Sequence, residues 1–500
     1  MKFKTFFILS FTLFLMVGVV ACTDNFESVN TDPTSPTDVQ PEALITRGMV
    51  YGALRFDVYQ RGKHLYGNHY AQYYSNIESG WGTDRYETRQ DWLTAYWDAA
   101  YSNFGSNIQE ALELTADDEE MLNIHSKARI LRVWIMHRVT DYWGDVPYFD
   151  AMQRNTQPAY DAQEEIYRDM LNELTEAEEA LDDGAEFRLG SADVLFNGNV
   201  DMWRRFANSL RLRLAMRVSY ADPGLAQEHV GDVLNGRPIL ENNNHNVKLE
   251  VDPGGGTGDF VHDNHHHWIY RFDEYRISQT LSDNLSDLED PRLEVFLAPS
   301  DITQIRQGLQ NGLSDTQLSQ TQNAPGLYSR ETSYFHDIET PIRIMMTAEV
   351  KFLEAEAALR GWGPGDPAEH YEDGIRASLE FYDSIDQFEI EQQEIDDYIN
   401  DSPAAFDPTL DDEGQLEQII TQKWLAIFGQ GMEAYAEIRR TGYPELQEIG
   451  DPSGGETDGE LPRRLRYPNS EEGLNNDNLQ EAIDRQGNNM LDNVWWDAKN

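Results

Sequence analysis

Beyond about Glu42, apolar residues recur three and four apart along most of the chain, the period of helices that turn one face to a core. Leu416, Ile419, Ile420, Trp424, Ile427 and Phe428 trace one such face. Met345, Ala348, Phe352, Ala355 and Leu359 trace a second, and Ala207, Leu210, Leu214 and Val218 a third. A further helix is predicted over Asn123–Tyr142, with Leu131, Trp134 and Ile135 inward. Core packing accounts for each stripe. Ala355, Ala357 and Ala358 are small enough to let a neighbouring helix approach, and Tyr371, Ile375 and Leu379 begin a new helix after the Gly361–Pro367 turn. Helix, turn and helix with small residues at the contact predict a tetratricopeptide-like pair, although no repeat of about 34 residues runs through the chain.

Two long stretches break this periodicity, near 235–277, which includes Gly254-Gly255-Gly256, and near 302–342. Irregular segments of that length inside a helical protein often carry function. The acidic Gly- and Pro-containing run from Gly450 to Gly459 reads as a solvated loop. The expected architecture is mainly α, a single domain over 41–500 with irregular insertions in those two stretches.

The first forty residues follow a different pattern. Lys2 and Lys4 precede an apolar run from Phe6 to Val20, too short for a comfortable membrane span and suited to a signal peptide. Val19-Val20-Ala21-Cys22 comes next and resembles a bacterial lipobox, with Val19 where leucine is usual. The chain has one cysteine, and it stands at this spot. We therefore expect residues 1–21 to be removed, Cys22 to carry the lipid, and residues 22–40, rich in Thr, Ser, Asn, Asp and Pro, to form a tether. The competing reading is a plain secretory signal followed by an idle cysteine. A lone cysteine excludes an intrachain disulfide and a zinc site built on several thiolates.

Composition narrows the partners. The 500 residues are 40% hydrophobic and 11% aromatic, enough for a core. Against 39 Lys and Arg stand 89 Asp and Glu, a net charge of -50 that becomes -52 once Lys2 and Lys4 leave with the signal. Such a chain does not suit nucleic acid, which needs a basic surface. It gains nothing from anionic lipid, so membrane contact requires the covalent anchor. It also disfavours polyanionic glycans unless a local basic patch intervenes. A saline habitat and ordinary surface acidity both accommodate the excess.

Four segments, in order, resemble the SusD/RagB family of nutrient-binding outer-membrane lipoproteins, and its SusD-like branch in particular. They are Thr140-Asp141-Tyr142-Trp143-Gly144-Asp145-Val146-Pro147-Tyr148; Trp203 through Arg217; Ala348-Glu349-Val350 with Glu354-Ala355-Glu356-Ala357 and Arg360-Gly361-Trp362; and Gln422-Lys423-Trp424 with Glu433-Ala434, Arg439-Arg440-Thr441-Gly442-Tyr443-Pro444 and Arg466-Tyr467-Pro468. The resemblance implies a superhelix of tetratricopeptide-like pairs beside a large irregular, loop-rich binding region. It implies a SusC-like, TonB-dependent outer-membrane transporter as partner, with the lipoprotein as its lid, anchored through Cys22 and facing the cell exterior. It implies capture of oligosaccharides or peptides without catalysis and without a cofactor. The motif arginines Arg204, Arg205, Arg211, Arg213 and Arg217 are expected to pair with the chain's own carboxylates, and Asp141 and Asp145 to serve local turns and caps.

Sugars offer apolar faces to aromatic rings and polar edges to amides and carboxylates, so loop aromatics are the candidates for binding. Trp81 lies between Gly80 and Gly82, with Tyr86 behind it and Asn76, Asp84 and Arg85 as polar neighbours. Trp268 and Tyr270 end the first irregular stretch, and Tyr328, Tyr334 and Phe335 lie in the second. Burial beneath the parent loop is the competing reading for each ring, and it is favoured for Trp268 and Tyr270. His262, His265, His266 and His267 cluster, but the glycines upstream argue against the helix that would align two of them, and no metal site is assigned. Two other classes stay open. A scaffold would bind a protein and no small ligand. A helical glycoside hydrolase would need two carboxylates at a set separation, which 89 acids supply by chance.

Overall fold

The computed structural model describes residues 39–78, 80–153, 155–184, 190–251 and 270–499. The lipobox with Cys22, the histidine cluster and Trp268 lie outside them.

Helix α1 (Pro41–Leu54) starts on a proline and packs its Gly48 against Ile108 of α4 (Ser106–Thr115). Between them come α2 (Asp57–Asn68), a π-helix, and α3 (Gln90–Ala99). The motif helix α5 (Leu122–Trp143) is buried on nearly every side, which is why its sequence lacks a polar face. Helix α6 (Gln163–Ala180) packs on α5 and on α7 (Val200–Arg217), and α7 packs on α8 (Pro223–Leu234). Caps set the starts of α7 and α8. The Asn199 side chain accepts from Met202 N at 3.2 Å, and Asp222, ahead of Pro223, accepts from Leu225 N at 3.0 Å.

The predicted hairpin is α11 (Thr347–Leu359) and α12 (Pro367–Asp383), preceded by the shorter α9 (Gln279–Asp287) and α10 (Arg292–Phe296). Gly374 of α12 lies where a Cβ would touch the Phe352 ring at 2.7 Å, so the pair closes on a glycine as well as on the alanines. Met345, placed on the α11 stripe by its spacing, instead ends a strand. Helices α13 (Gln392–Asp401), α14 (Asp412–Ala426) and α15 (Gly431–Thr441) follow. The glycine after α15, Gly442, has φ +85° and closes the helix where an L side chain would be strained.

Two short antiparallel ladders tie the irregular stretches to this scaffold. Strand β1 (Tyr74–Asn76) pairs with β3 (Tyr275–Ile277) in the register Tyr74↔Ile277 and Asn76↔Tyr275. Strand β2 (Val247–Leu249) pairs with β4 (Ile342–Met345). The C-terminal segment then returns to α5: Leu465 N donates to Tyr142 O at 2.7 Å, Arg464 to Trp143 O at 2.6 Å, and Trp496 Nε1 to Asp141 at 2.9 Å. Among the described residues no helix is long and apolar enough to cross a membrane.

All five motif arginines of α7 pair with carboxylates. Arg204 and Arg205 reach Asp183 and Asp201 near the surface, and Arg211, itself buried, reaches out to the exposed Asp232. Arg213 and Arg217 are buried, the first on Glu349 at 2.6 Å and the second on Glu433 at 2.6 Å and Glu437 at 2.8 Å. The expectation of local turn bonds fails for both acids. Asp145 accepts from Gln163 N at 2.9 Å, at the start of α6, and also holds Arg485 at 2.7 Å across 340 positions. Asp141 is a core acceptor that bonds Tyr167 and Trp496 and sits 3.8 Å from Arg217.

Candidate functional site

The β1–β3 ladder brings the two groups of candidate residues onto one frame. Trp81, Arg85 and Tyr86 follow β1, Tyr270 precedes β3, and Ile277 N donates to Ser329 O at 2.9 Å, next to Tyr328. Asp84 locks the frame. Its carboxylate accepts from Asn76 N at 3.0 Å and from Gly312 N at 2.9 Å, joining the loop after β1 to the second irregular stretch. The Asn76 amide in turn donates to Trp81 O and to Glu78 O. Asn76 and Asp84 are therefore buried supports of the loop, turned to its backbone and not to solvent.

Trp81 is half-buried. Its ring meets Trp92 edge-on at 5.3 Å, and Arg89 lies over Trp92 at 4.4 Å. Gly80 takes φ +80° and would have nothing within 4 Å of a Cβ, which marks the tight, open turn that presents the indole. Arg85 pairs with Glu87 at 2.5 Å. Tyr86 is only 2% exposed and packs edge-on against Tyr70 at 5.3 Å, so its ring belongs to the core.

The rings of the second group differ among themselves. Phe335 is buried against Phe428 at 5.1 Å and Phe296 at 5.6 Å, again a core residue. Tyr334 is half-buried and leans on Phe388 at 5.8 Å. Tyr270 lies 3.4 Å from the His336 ring, nearly parallel, and 3.4 Å from the Arg330 guanidinium. Two groups that close cannot share one face, so both faces of Tyr270 are occupied. Tyr328 is half-exposed, and its hydroxyl donates to Gln322 O at 2.7 Å. Among the described candidates, Trp81 and Tyr328 are thus rings that keep accessible surface without being enclosed by partners on both faces.

Exposed side chains outside the candidate set lie on the same loops. Phe272 (58% exposed) stands between Tyr270 and β3, and Ile302 and Ile305 project from the second stretch at 65% and 56%. Glu274 adjoins β3, and Ile77 N donates to its carbonyl. Burial and the nearby Glu78 charge push the Glu274 carboxyl up to about 7, so at neutral pH it both donates and accepts hydrogen bonds. That suits a polar ligand edge. Among the described residues no cluster of His, Cys, Asp and Glu is arranged to hold a metal ion.

Burial, offset in part by the Gly312 and Asn76 amides, pushes Asp84 up to about 6. The folded state then holds a proton over a range where the unfolded chain has lost it, so this group's contribution to stability falls as pH rises from about 4 through 6. The loss amounts to about 3 kcal/mol at most. Asp84→Asn keeps one oxygen for both amides and removes the titration. Urea midpoints of the two proteins should diverge in the variant's favour between pH 4 and 7, and a constant gap would show that Asp84 does not titrate there.

A family model described as starch-binding associating with outer membrane, SusD-like, matches residues 33–468. No curated protein matches the sequence. Among solved structures, a chitin-binding protein is 29% identical, with a TM-score of 0.81 over 92% of this chain and 100% of its own. A chitin-binding SusD homologue from Flavobacterium johnsoniae is 26% identical, with a TM-score of 0.81 over 92% of this chain and 99% of its own. A SusD homologue from Bacteroides vulgatus is 26% identical, with a TM-score of 0.79 over 91% and 97%.

Proposed function

The chain belongs to the SusD-like family of starch-binding proteins that associate with the outer membrane, and from that membership we propose that it is a surface lipoprotein that captures oligosaccharides. Cys22 carries its lipid, and a SusC-like, TonB-dependent barrel receives its cargo. No bond is broken: the ligand binds at equilibrium and is released to the transporter, which calls for modest affinity and fast dissociation.

The observation that carries the binding reading is the presentation of Trp81. A half-exposed indole on a glycine-turned loop is held in place by Asn76 and by the Asp84 bonds to two separate backbone segments. A stacking ring contributes most when its orientation is set before the ligand arrives. Tyr328 on the neighbouring stretch, the Arg85–Glu87 pair and the protonatable Glu274 offer a second ring and polar groups around it. The chitin-binding neighbours make N-acetylglucosamine oligomers the first ligands to try, beside malto-oligosaccharides and short peptides.

Calorimetric titration of the protein from residue 23 onward should give heat with one saccharide series. Trp81→Ala should weaken that binding by about tenfold or more, the loss typical of an anchoring aromatic, with the melting temperature little changed. Heat with peptides alone would move the ligand to that class. Silence with every ligand would favour a scaffold, and turnover of any oligosaccharide would overturn the non-catalytic reading.

A further inference from the structure

A partly open cavity of about 70 Å³ is lined by α1, α2, α5, α7, β4 and the start of α15. A second, of about 30 Å³, shares Lys63, Ile342 and Arg343 with it. Three cations line this space, and among the described residues none of them has a carboxylate partner. Lys63 of α2 rests over the Tyr59 ring at 4.2 Å and meets no hydrogen-bond acceptor among the described residues. Arg138 of α5 donates Nε to Trp134 O and Nη1 to Gly52 O, while its buried Nη2 has no acceptor. Arg343 of β4 donates to the Tyr382 hydroxyl at 2.6 Å and to Phe428 O at 2.8 Å. The buried Gln430 amide on the same wall also lacks an acceptor for Nε2.

Of the acids that reach this wall, Asp141 and one oxygen of Glu433 are committed elsewhere, while Glu433 Oε1 has no hydrogen-bond donor among the described residues. Asp141 bonds Tyr167 and Trp496. Glu433 holds Arg217 at 2.6 Å and approaches Lys423 at 3.8 Å. Arg213, also on the wall, is neutralised by Glu349. In a chain with 89 acids and 39 basic residues, three cations gathered without a counter-charge are anomalous. Each keeps some accessible surface although it sits deep in the fold. Burial and the charges of Arg343 and Arg138 bring the Lys63 ammonium down to about 7, in keeping with a cluster that lacks its anion.

We propose that this cavity binds one compact tetrahedral oxyanion, phosphate or sulfate, between Lys63, Arg138, Arg343 and Gln430. By the measure in which one water needs roughly 10–15 Å³, the space holds about five to seven such spheres, enough for the five heavy atoms of either ion. The free N–H groups of Arg138 and Gln430 and the three donors of Lys63 call for a ligand rich in acceptor oxygens. The inference is independent of the saccharide site, which lies on other loops. The same chemistry is offered by a free ion and by the ester group of a larger ligand.

Equilibrium dialysis of the intact protein at constant ionic strength, with radiolabelled phosphate as probe and glucose 6-phosphate as competitor, tests this. One phosphate per chain should bind saturably. Lys63→Met, which removes the charge and keeps the bulk, should weaken it by at least about tenfold. Ala53→Leu, which fills the cavity from α1, should do the same through volume, so a folding failure in one variant leaves the other decisive. Competition by the ester would make the site a recognition pocket for a phosphorylated ligand, and its absence a site for the free ion; both support the proposal. No saturable binding, or binding untouched by Lys63→Met in a folded protein, overturns it.

Discussion

Replacing Arg217 with methionine is expected to cost the fold about 3–5 kcal/mol, the usual penalty for removing one partner of a buried ion cluster. Arg217 is fully buried and bonds Glu433 and Glu437 on α15, with Asp141 of α5 at 3.8 Å. Burial alone would raise the pKa of Glu437, yet Arg440, Lys423 and Arg217 together hold it well below the usual carboxylate range. Without Arg217 these carboxylates lose part of that support while remaining desolvated. The deficit should therefore shrink as the pH falls, because protonation removes the unpaired charge. Arg168→Met is the control. Its pairs with Glu164 and Asp222 are surface contacts, and losing them should cost less than about 1 kcal/mol. Equal urea midpoints for the two variants would mean that the buried cluster contributes no more than a surface pair.

Gly431→Ala should destabilise by about 3 kcal/mol, at the upper end of the usual overpacking range. A Cβ at Gly431 would stand 2.2 Å from the Asn68 nitrogen and 2.5 Å from the Gly67 carbonyl carbon. A Cβ at Gly67 would meet Gly431 and Met432 backbone at 2.6 Å. Helices α2 and α15 thus touch backbone to backbone, and no side-chain rotamer can relieve the clash. Gly473→Ala, where nothing lies within 4 Å, should be neutral or slightly stabilising. A Gly431→Ala protein that melts with the parent would show that the two helices can separate freely.

Much of the scaffold is legible in the sequence because helices carry their own period. The stripe from Leu416 to Phe428 became α14 and the residues just after it, and the helix predicted over Asn123–Tyr142 gained only Leu122 and Trp143. Helix α2 left no such signal: Gly62 and Gly67 interrupt its apolar spacing, and its wider π turns depart from the period being sought. The candidate site was legible in outline and not in detail. Gly80 and Gly82 correctly marked a turn around Trp81. Tyr86 and Phe335 carry the same composition signal, but their fate is set by Tyr70, Phe296 and Phe428, and for Phe335 the decisive partner is far along the chain. The Asp84 bond to Gly312 spans 228 positions, and no local pattern announces such a support. Lys63, Arg138 and Arg343 come from three separate segments, and a missing partner is not written beside any of them.

The return of the C-terminal segment to α5 imposes an order on synthesis. Trp496 meets Asp141 across 355 positions and Arg464 meets Trp143 across 321. At about 5–20 residues per second, roughly 20–70 s separate the emergence of Asp141 from that of Trp496. For that interval the nascent chain carries the motif helix without the cover it will finally have, and the core cannot close early. The last turns of translation, not the first, therefore commit the chain to its final shape.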